Sequence, residues 1–306
     1  MASTSELPLW DDDRIVAKRR PRPPHDPWKP HGVLVEKERT RQGLVEDVAT
    51  VFLVNRECPF RCLMCDLWKF AVAQRVPSGA VASQVAQAVA GLRDVRHIKL
   101  YNAGNFFDAQ AIPPEDLPSI AEKVTDFASV LVECHPRLIR PAVVEFRARL
   151  RGELQIAMGL ETVHPEVLPR LNKRMTLDDY AQACRFLREH DIPVRAFILV
   201  RPPFLGEQES LEWARRSLDW AFEQGVECCV LIPTRGGNGA MEELAQQGWF
   251  VPPTLETLEA ALEYGQKLGR GRVFADLWDV AGDPTSLARI EQRNLQGWAA
   301  CANAST

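Results

Sequence analysis

Short apolar runs alternate along the chain with longer segments whose apolar residues recur every three or four positions. Short runs bounded by turn residues are typical of buried strands, and the longer spacing is typical of amphipathic helices. The pattern predicts strands at residues 48–54, 98–101, 130–132, 154–162, 193–200, 228–232 and 272–279, and helices at residues 81–92, 113–127, 142–150, 176–190 and 211–224. This alternation predicts an α/β fold with a parallel sheet and crossover helices.

The two ends of the chain break this pattern. Residues 14–41 carry nine Lys or Arg and three Asp or Glu, a net charge of +6, whereas the rest of the chain carries −10. This segment is also rich in proline, so residues 1–45 are predicted to form an extended basic arm. An arm with an interleaved Trp28 suits contact with nucleic acid; the alternative is a solvated extension that packs across the sheet. Residues 281–306 form a tail with one predicted helix and the lone Cys301.

Composition places the middle of the chain, residues 46–280, in one large domain. The 306 residues are 46% hydrophobic, which is enough for a sizeable core, and barrel domains of ~200–250 residues commonly stand alone. No apolar run reaches the ~18 residues that a membrane span needs, and the first six residues lack the pattern of a secretory signal. We therefore expect a cytoplasmic protein without a membrane segment. The eight cysteines do not fit a secreted disulfide framework.

The most informative motif is a C-x3-C-x2-C spacing formed by Cys58, Cys62 and Cys65, directly after the predicted strand at residues 48–54. Iron–sulfur clusters are held by cysteine thiolates, usually four for a cluster of four irons. A loop that supplies three thiolates leaves one iron open to a small molecule, so the motif indicates a catalytic cluster. The alternative is a zinc site completed by a remote Cys or His. The other cysteines are scattered and form no second pair of the kind that zinc sites use.

The cysteine spacing and its position after the first strand resemble the signature of the radical S-adenosylmethionine (radical SAM) superfamily. The resemblance implies a partial (β/α)6 barrel with an added strand, and a [4Fe-4S] cluster at the carboxyl ends of its strands. It also implies that the open iron chelates S-adenosylmethionine (SAM). An electron from an external donor then cleaves SAM to a 5′-deoxyadenosyl radical, which abstracts hydrogen from a substrate. The family usually has an aromatic residue before the third cysteine, where this chain has the flexible Met64.

The stretch after the second predicted strand lies where family members bind the amino group of SAM. They commonly have a G-G-E motif there, and this chain has Asn102, Gly104 and Asn105 but neither the doubled glycine nor the glutamate. Gly104 permits a close backbone approach, and the amides of Asn102 and Asn105 accept hydrogen bonds from an ammonium group. The alternative is a plain strand-to-loop turn.

Three later strands end in residues that the resemblance assigns to SAM. Glu133 and Pro136 match a Glu-x-x-Pro stretch of the branch that includes the elongator catalytic subunit and tRNA methylthiotransferases. Gly159 and Glu161 lie in a G-L-E-T stretch, where the glycine admits SAM and the glutamate bonds a ribose hydroxyl. A buried glutamate without a partner is costly, which favours a functional Glu161. Arg201 suits the SAM carboxylate, or else it closes a surface ion pair.

Two further features near the strand ends have open roles. A glycine-rich turn at residues 233–243 opens a helix, and its Arg235 and Asn238 either contact substrate or belong to a flexible connection. The turn is not a P-loop, because it lacks the G-K-[ST] ending. Asp276 and Asp279 lie near the end of the last predicted strand.

Similarity within the superfamily also suggests a substrate. Residues 65–68 and 104–106 are similar to stretches of the radical SAM subunits of archaeosine synthase, which implies a modified tRNA base as substrate and a partner subunit; a small molecule is the alternative substrate. Two other classes stay open. One is a protein of the same fold that uses its cluster for electron transfer or as a scaffold, and residues 159–161 argue against it. The other is a zinc-stabilised RNA-binding module, which only the basic arm favours.

Overall fold

A computed structural model describes residues 7–302 of the chain. In this part, eight β-strands form one open, curled sheet. The strands are β1 (Gly32–Arg39), β2 (Val45–Leu53), β3 (His97–Asn102), β4 (Ser129–Glu133), β5 (Glu153–Glu161), β6 (Val194–Val200), β7 (Cys228–Pro233) and β8 (Arg272–Ala275). They pair in chain order. β1 is antiparallel to β2, and β2 to β8 are mutually parallel. The carboxyl ends of the seven parallel strands therefore share one edge of the sheet.

Helices precede, connect and follow the strands, and many of them cover the outer face of the sheet. They are α1 (Asp12–Ala17), α2 (Ala80–Ala90), α3 (Leu117–Val124), α4 (Pro141–Arg147), α5 (Val167–Arg170), α6 (Leu177–Glu189), α7 (Glu207–Glu223), α8 (Ala240–Gln246), α9 (Leu255–Lys267) and α10 (Pro284–Ala302). Local sequence explains several of their starts. Thr176 caps α6 through a capping box with Asp179, and Gly79 precedes α2 with a φ of +84°, a conformation that favours glycine.

The two faces of the sheet differ in chemistry. On β3, Ile98 and Leu100 pack into the main hydrophobic core between the sheet and the helices, and the alternating residue Lys99 points to the inner face. There Lys99 pairs with Glu38 of β1 (2.5 Å), and Arg195 of β6 pairs with the same carboxylate (2.5 Å). The apolar face therefore holds the sheet to its helices, while the inner face of the half-barrel carries buried ion pairs.

The predicted partial barrel with an added strand is confirmed. The six strands predicted between residues 48 and 232 correspond to β2 to β7, and the added strand at residues 272–279 corresponds to the shorter β8. The sequence pattern does not predict α9, which lies between β7 and β8. The predicted helices otherwise match α2, α3, α4, α6 and α7 to within a few residues at their ends.

The expectation of an extended arm at residues 1–45 is wrong for part of this segment. α1 and β1 lie within it, and β1 pairs with β2 along its whole length. The strand escapes pattern recognition because its outward Val33 and Val35 are exposed while its inward Glu38 is charged. Between α1 and β1 the chain packs against α2, where Gln84 donates a hydrogen bond to the carbonyl of Pro27 (2.7 Å).

The C-terminal tail contains the predicted helix, α10, which bends at Gly297 (φ +68°). The side chain of Cys301 lies outside the described part of the structure. None of the helices within residues 7–302 has the length and apolar character that crossing a membrane requires.

Candidate functional site

The cysteine loop follows β2 at the carboxyl edge of the parallel strands, where barrel enzymes place their chemistry. Neighbouring segments hold its backbone. The Leu63 amide donates to the carbonyl of Leu171 (2.8 Å). The side-chain nitrogen of Asn238 donates to the carbonyls of Leu63 (2.7 Å) and Cys65 (3.3 Å). Because these partners come from the segments that follow β5 and β7, the loop is fixed in place at the sheet edge.

Cys58, Cys62 and Cys65 are free cysteines that retain some exposed surface. Desolvation of their thiols raises the pKa of Cys58 to about 11 and the pKa of Cys62 and Cys65 to about 12. The positive charge of Lys173 acts in the opposite direction on the pKa of Cys58 and Cys62. The thiols are therefore protonated at neutral pH, and a metal must displace these protons because only thiolates bind it.

The donor set suits an iron–sulfur cluster. Among the described residues, no three His, Cys, Asp or Glu side chains surround one point at which a single metal ion would bind. Thiolates that hold a four-iron cluster bind different irons, so the three cysteines have no need to converge on one point. The side-chain nitrogen of Asn105 lies 3.2 Å from the sulfur of Cys58, and a donor at this place stabilises a thiolate. The residues present therefore fit the group that the motif implies.

The three predicted residues after β3 lie against the cysteine loop, and their surroundings differ. Asn102 is buried, and neither polar atom of its side chain has a hydrogen-bond partner among the residues that the structure describes. A β-carbon on Gly104 would lie 3.2 Å from the side-chain nitrogen of Asn55, which is a tight contact, and 3.5 Å from the backbone nitrogen of Cys58. Asn105 uses both ends of its amide, because its oxygen also accepts from the backbone amide of His135 (2.7 Å). Asn105 therefore ties the cysteine loop to the segment after β4.

Glu133 ends β4 on the inner face of the sheet. One oxygen of its carboxyl group accepts a hydrogen bond from the backbone amide of Asn102 (3.3 Å). Burial raises the pKa of Glu133 to about 8, so the group is largely protonated at neutral pH and is able to donate a hydrogen bond. Two residues further on, the ring of His135 stacks on Phe60 of the cysteine loop, with 3.8 Å between the ring centroids. The loop and the end of β4 are therefore packed together.

Glu161, the last residue of β5, forms a buried ion pair with Lys173 (2.6 Å). The segment after α5 supplies this partner, so the cost of a buried glutamate without a partner does not arise here. Glu161 also has a φ of +66°, which residues other than glycine seldom adopt. A β-carbon on Gly159 would lie closer than 3.0 Å to both charged groups of this pair. The sheet edge here combines a missing side chain, a strained backbone and a buried charge pair, a combination that clusters at functional sites.

Arg201, directly after β6, forms the ion pair that was the alternative to a role in SAM binding. Its guanidinium group pairs with Glu207 at the start of α7 and donates to the carbonyl of Pro252 (3.1 Å). The structure therefore brings Arg201 to the carboxyl edge of the sheet with its charge already paired.

The glycine-rich turn after β7 supports the cysteine loop. Asn238 donates to the loop and accepts from the backbone amide of Met241 (2.9 Å), so both ends of its side chain are used. Arg235 donates to the carbonyl of Trp278 (2.7 Å). Asp276 accepts from the amide of Trp278 (3.0 Å), and burial raises the pKa of Asp276. These contacts tie the turn to the cysteine loop and to the segment after β8, so it is not a flexible connection.

Three residues of this site are not identified from the sequence. Lys173 pairs with Glu161, twelve positions earlier in the chain. Asn55 accepts from the backbone amide of Ala103 (3.1 Å) and so joins the start of the cysteine loop to the end of β3. His135 contacts the carbonyl of Lys173 through Nε2 (3.0 Å). Only Lys173 has a signal in the sequence, because a buried carboxylate such as Glu161 requires a nearby cation.

Comparison with protein families identifies one family. The model of the radical SAM superfamily matches residues 52–214, which is more than half of the chain and includes all three cysteines of the motif. The match begins within β2 and ends within α7. It therefore covers the ends of β3, β4, β5 and β6, where the candidate residues lie.

Three relatives among characterised and uncharacterised proteins are distant in sequence. An uncharacterised protein of Methanocaldococcus jannaschii is 22% identical over 83% of this chain and 73% of its own length. The archaeosine synthase subunit beta of Methanosarcina acetivorans is 24% identical over 63% of this chain and 58% of its own length. The corresponding subunit of Thermococcus kodakarensis is 25% identical over 70% of this chain and 69% of its own length.

Two solved structures have a similar fold. Archaeal Elp3 of Methanocaldococcus infernus has a TM-score of 0.53 at 14% identity, over 70% of this chain and 59% of that chain. Methylornithine synthase has a TM-score of 0.50 at 12% identity, over 85% of this chain and 86% of that chain. At these identities the likeness shows a shared fold alone.

Proposed function

We infer, because the chain belongs to the radical SAM superfamily of enzymes, that Cys58, Cys62 and Cys65 hold a [4Fe-4S] cluster whose remaining iron binds SAM. When bound, the cluster and SAM supply a 5′-deoxyadenosyl radical, which abstracts a hydrogen atom from the substrate. The observation that carries this proposal is the arrangement of three free thiols on one loop at the carboxyl edge of the parallel sheet, with an amide donor on one sulfur.

The surroundings of the cysteines support thiolate ligands. The amide of Asn105 points a donor at the Cys58 sulfur, and the ammonium group of Lys173 lowers the pKa of Cys62 against the effect of burial. Met64 packs against the apolar clusters that contain Leu63 and Leu171. An apolar shell limits the access of water, and it also influences the reduction potential of a cluster.

We propose that Asn102, Gly104 and Glu133 bind the methionine group of SAM. Among the described residues, the buried side chain of Asn102 has no hydrogen-bond partner, and a buried amide in this state costs free energy unless a ligand satisfies it. Gly104 leaves space beside Cys58. Glu133 offers a carboxyl group that accepts from an ammonium group and, when protonated, donates to a carboxylate.

For the ribose side of SAM we propose Gly159 and Glu161, with Lys173 as the residue that positions Glu161. The missing side chain of Gly159 leaves the space that the charged groups of Glu161 and Lys173 occupy, and a carboxylate is a strong acceptor for a hydroxyl group. Asn105 and Arg201 already have partners in the protein. We therefore propose that Asn105 orients Cys58 and that Arg201 fixes the start of α7.

As substrate we propose a modified tRNA base, in a reaction that needs an external electron donor and a partner subunit. The support is the likeness to two proteins named archaeosine synthase subunit beta, and the word subunit in that name supports the partner. The aligned region spans 58% of one of these relatives and 69% of the other. A small-molecule substrate is the competing proposal.

Anaerobic reconstitution with iron and sulfide tests the chemistry. We expect about four irons per chain, and 5′-deoxyadenosine after addition of SAM and dithionite. Both signals should disappear in the variant Cys58→Ala, Cys62→Ala, Cys65→Ala. The matched control is Cys184→Ala, because Cys184 is a buried thiol of α6 in the main core. Zinc in place of iron would favour the zinc-stabilised module, and iron without product would favour an electron-transfer protein.

The substrate class has a separate test. Total archaeal tRNA is compared with the same tRNA digested to nucleosides, and 5′-deoxyadenosine formation is measured with each. Stimulation by the intact tRNA alone supports a tRNA base as substrate. Stimulation by the nucleosides alone supports a small molecule instead.

A further inference from the structure

The N-terminal segment folds back beside the cysteine loop and lines an open pocket of about 780 Å³. One wall comes from residues 16–25, and the other comes from residues 57–73. We call it the arginine pocket after its charged lining, which consists of Arg19, Arg20, Arg22, Arg61 and Glu57. The ring of Trp68 also lines it, under the guanidinium group of Arg19 (4.9 Å to the ring centroid).

Positive charge is in excess in this pocket. Glu57 pairs with Arg19 (2.6 Å), with Arg61 (3.2 Å) and with Arg22. One carboxylate does not saturate three guanidinium groups, since each of them carries five N–H donors. Within residues 7–302, the exposed Arg20 makes no ion pair. Donors therefore remain for a negatively charged partner.

The arginine pocket lies directly behind two of the cysteines. Glu57 directly precedes Cys58, and Arg61 directly precedes Cys62. The α-carbons of the two residues in each pair are therefore about 3.8 Å apart. The guanidinium group of Arg61 also donates to the backbone carbonyl of Cys58. A molecule that contacts Glu57 or Arg61 therefore lies next to a residue that is directly bonded to one of the cysteines.

The N-terminal wall is anchored at both of its ends. At its beginning, Lys18 (2.6 Å) and the preceding Arg14 (3.0 Å) pair with Glu243 of α8. At its end, His25 contacts the carbonyl of Lys69 (2.6 Å) through Nε2. The charged surface is therefore formed before any partner arrives, which lowers the entropy cost of binding.

We propose that the arginine pocket docks an acidic one-electron carrier protein that reduces the cluster; this rests on the function proposed above. One electron leaves the carrier, which is oxidised, and enters the cluster, which is reduced, and no bond forms or breaks. A compact acidic protein suits a local basic surface. An electron carrier suits this place because the wall residues Glu57 and Arg61 adjoin Cys58 and Cys62 in the chain, so a carrier bound here lies close to the cluster.

The test measures binding and electron transfer with an acidic plant-type ferredoxin on the reconstituted protein. The variant is Arg20→Glu, and the matched control is Arg93→Glu, an exposed residue before β3 at the opposite edge of the sheet. We expect Arg20→Glu to raise the Kd for ferredoxin about tenfold at low ionic strength, with a smaller effect at about 0.5 M salt. Cluster reduction by reduced ferredoxin, followed by electron paramagnetic resonance, should slow by a similar factor. The rate at which dithionite reduces the cluster should not change in Arg20→Glu. The variant Arg20→Lys should bind ferredoxin as the wild type does, because it keeps the positive charge.

Three results would overturn the docking proposal. In the first, Arg20→Glu and Arg93→Glu bind ferredoxin equally well. In the second, Arg20→Glu loses affinity for a tRNA probe but keeps its affinity for ferredoxin, which would assign the pocket to nucleic acid. In the third, the wild-type protein assembles no cluster, and this result alone also overturns the proposed function.

Discussion

Two carboxylates, the largely buried Glu38 on the inner face of the sheet and the buried Glu161 at its carboxyl edge, are neutralised in different ways. Glu38 accepts two hydrogen bonds from Arg195 (2.5 and 3.2 Å) and also pairs with Lys99 (2.5 Å). In the described part of the chain, Glu161 pairs with one cation, Lys173 (2.6 Å). Arg272 is a third cation near Glu38 (3.6 Å). The inner carboxylate is therefore surrounded by three cations, whereas the carboxylate at the edge keeps acceptor capacity for another group.

The two carboxylates differ in backbone conformation as well as in their ion-pair partners. Glu38, Lys99 and Arg195 lie within regular strands. Glu161 has a positive φ. A β-carbon on Gly159 would clash with the charged groups of Glu161 and Lys173. A strained residue of this kind costs about 1–3 kcal/mol and persists only where its surroundings require it. The comparison teaches that burial of a charge does not by itself indicate function, and that unused acceptors on a strained backbone are the better sign.

The largest effect is expected on the stability of the inner face. Arg195→Met removes both hydrogen bonds from Arg195 to Glu38 and leaves Lys99 and Arg272 as the cations of this carboxylate. Because each hydrogen bond joins two charged groups, we expect the free energy of unfolding to fall by about 3–5 kcal/mol. Urea denaturation measures it. The control is Arg151→Ala, because the Arg151–Asp126 pair is exposed on both sides and contributes little. If Arg195→Met is as stable as this control, the inner pairs do not hold the half-barrel together.

The edge pair is expected to affect chemistry more than the inner pair does. Glu161→Gln should lower the rate of SAM cleavage about 10–100-fold, as is usual when a group that supports a cofactor site is changed. Glu38→Gln should leave the rate of SAM cleavage per folded molecule unchanged. Glu38 lies on the inner face of the sheet, where it pairs with Lys99 and Arg195. Equal loss of rate in both variants would remove the functional distinction between the two carboxylates. The measurement is 5′-deoxyadenosine formed per cluster.

Gly159→Ala sharpens the comparison further, because it adds one carbon beside the edge pair and removes no charge. The new β-carbon must push Glu161 and Lys173 apart. We expect a loss of about 1–3 kcal/mol in stability and weaker binding of SAM, measured by equilibrium dialysis with the reconstituted protein. Gly91→Ala is the control, since a β-carbon there has 3.6 Å to its nearest neighbour and an ordinary backbone. Unchanged SAM binding in Gly159→Ala would count against this edge as the SAM site.

The smallest effect is a difference in pH dependence. Burial alone would raise the pKa of Glu38, but the charges of Arg195 and Lys99 outweigh it and hold the pKa well below its usual range. A depressed pKa contributes stability that is present above the unfolded value of about 4.3 and is lost as the pH falls below it. Between pH 7 and about 3, wild type should therefore lose more stability than Glu38→Gln. Parallel curves in urea denaturation at several pH values would contradict this assignment.

Much of the site was predictable because its signals are local. The three cysteines lie within eight residues next to a strand, and a thiolate-rich loop is a local property of the sequence. Most other predicted residues lie at the carboxyl ends of parallel strands, and such ends meet at one edge in any sheet of this kind. These residues are Asn102, Gly104, Glu133, Gly159 and Glu161. Their spatial neighbourhood follows from topology, whereas their individual contacts do not. Asn105 and Asn238 illustrate this, since both hold the cysteine loop.

The sequence by itself determined the order of strands and helices from β2 to β7, the parallel sheet and the position of the cysteine motif, because hydrophobic periodicity and short-range spacing carry that information. Only the tertiary structure decided three other features. These are the pairing of β1 with β2, the choice of Lys173 as the partner of Glu161, and the return of the N-terminal segment to the cysteine loop. The physical reason is common to all three. Each rests on a charged side chain that becomes favourable to bury only when a partner elsewhere in the chain arrives beside it, and no local pattern records that meeting.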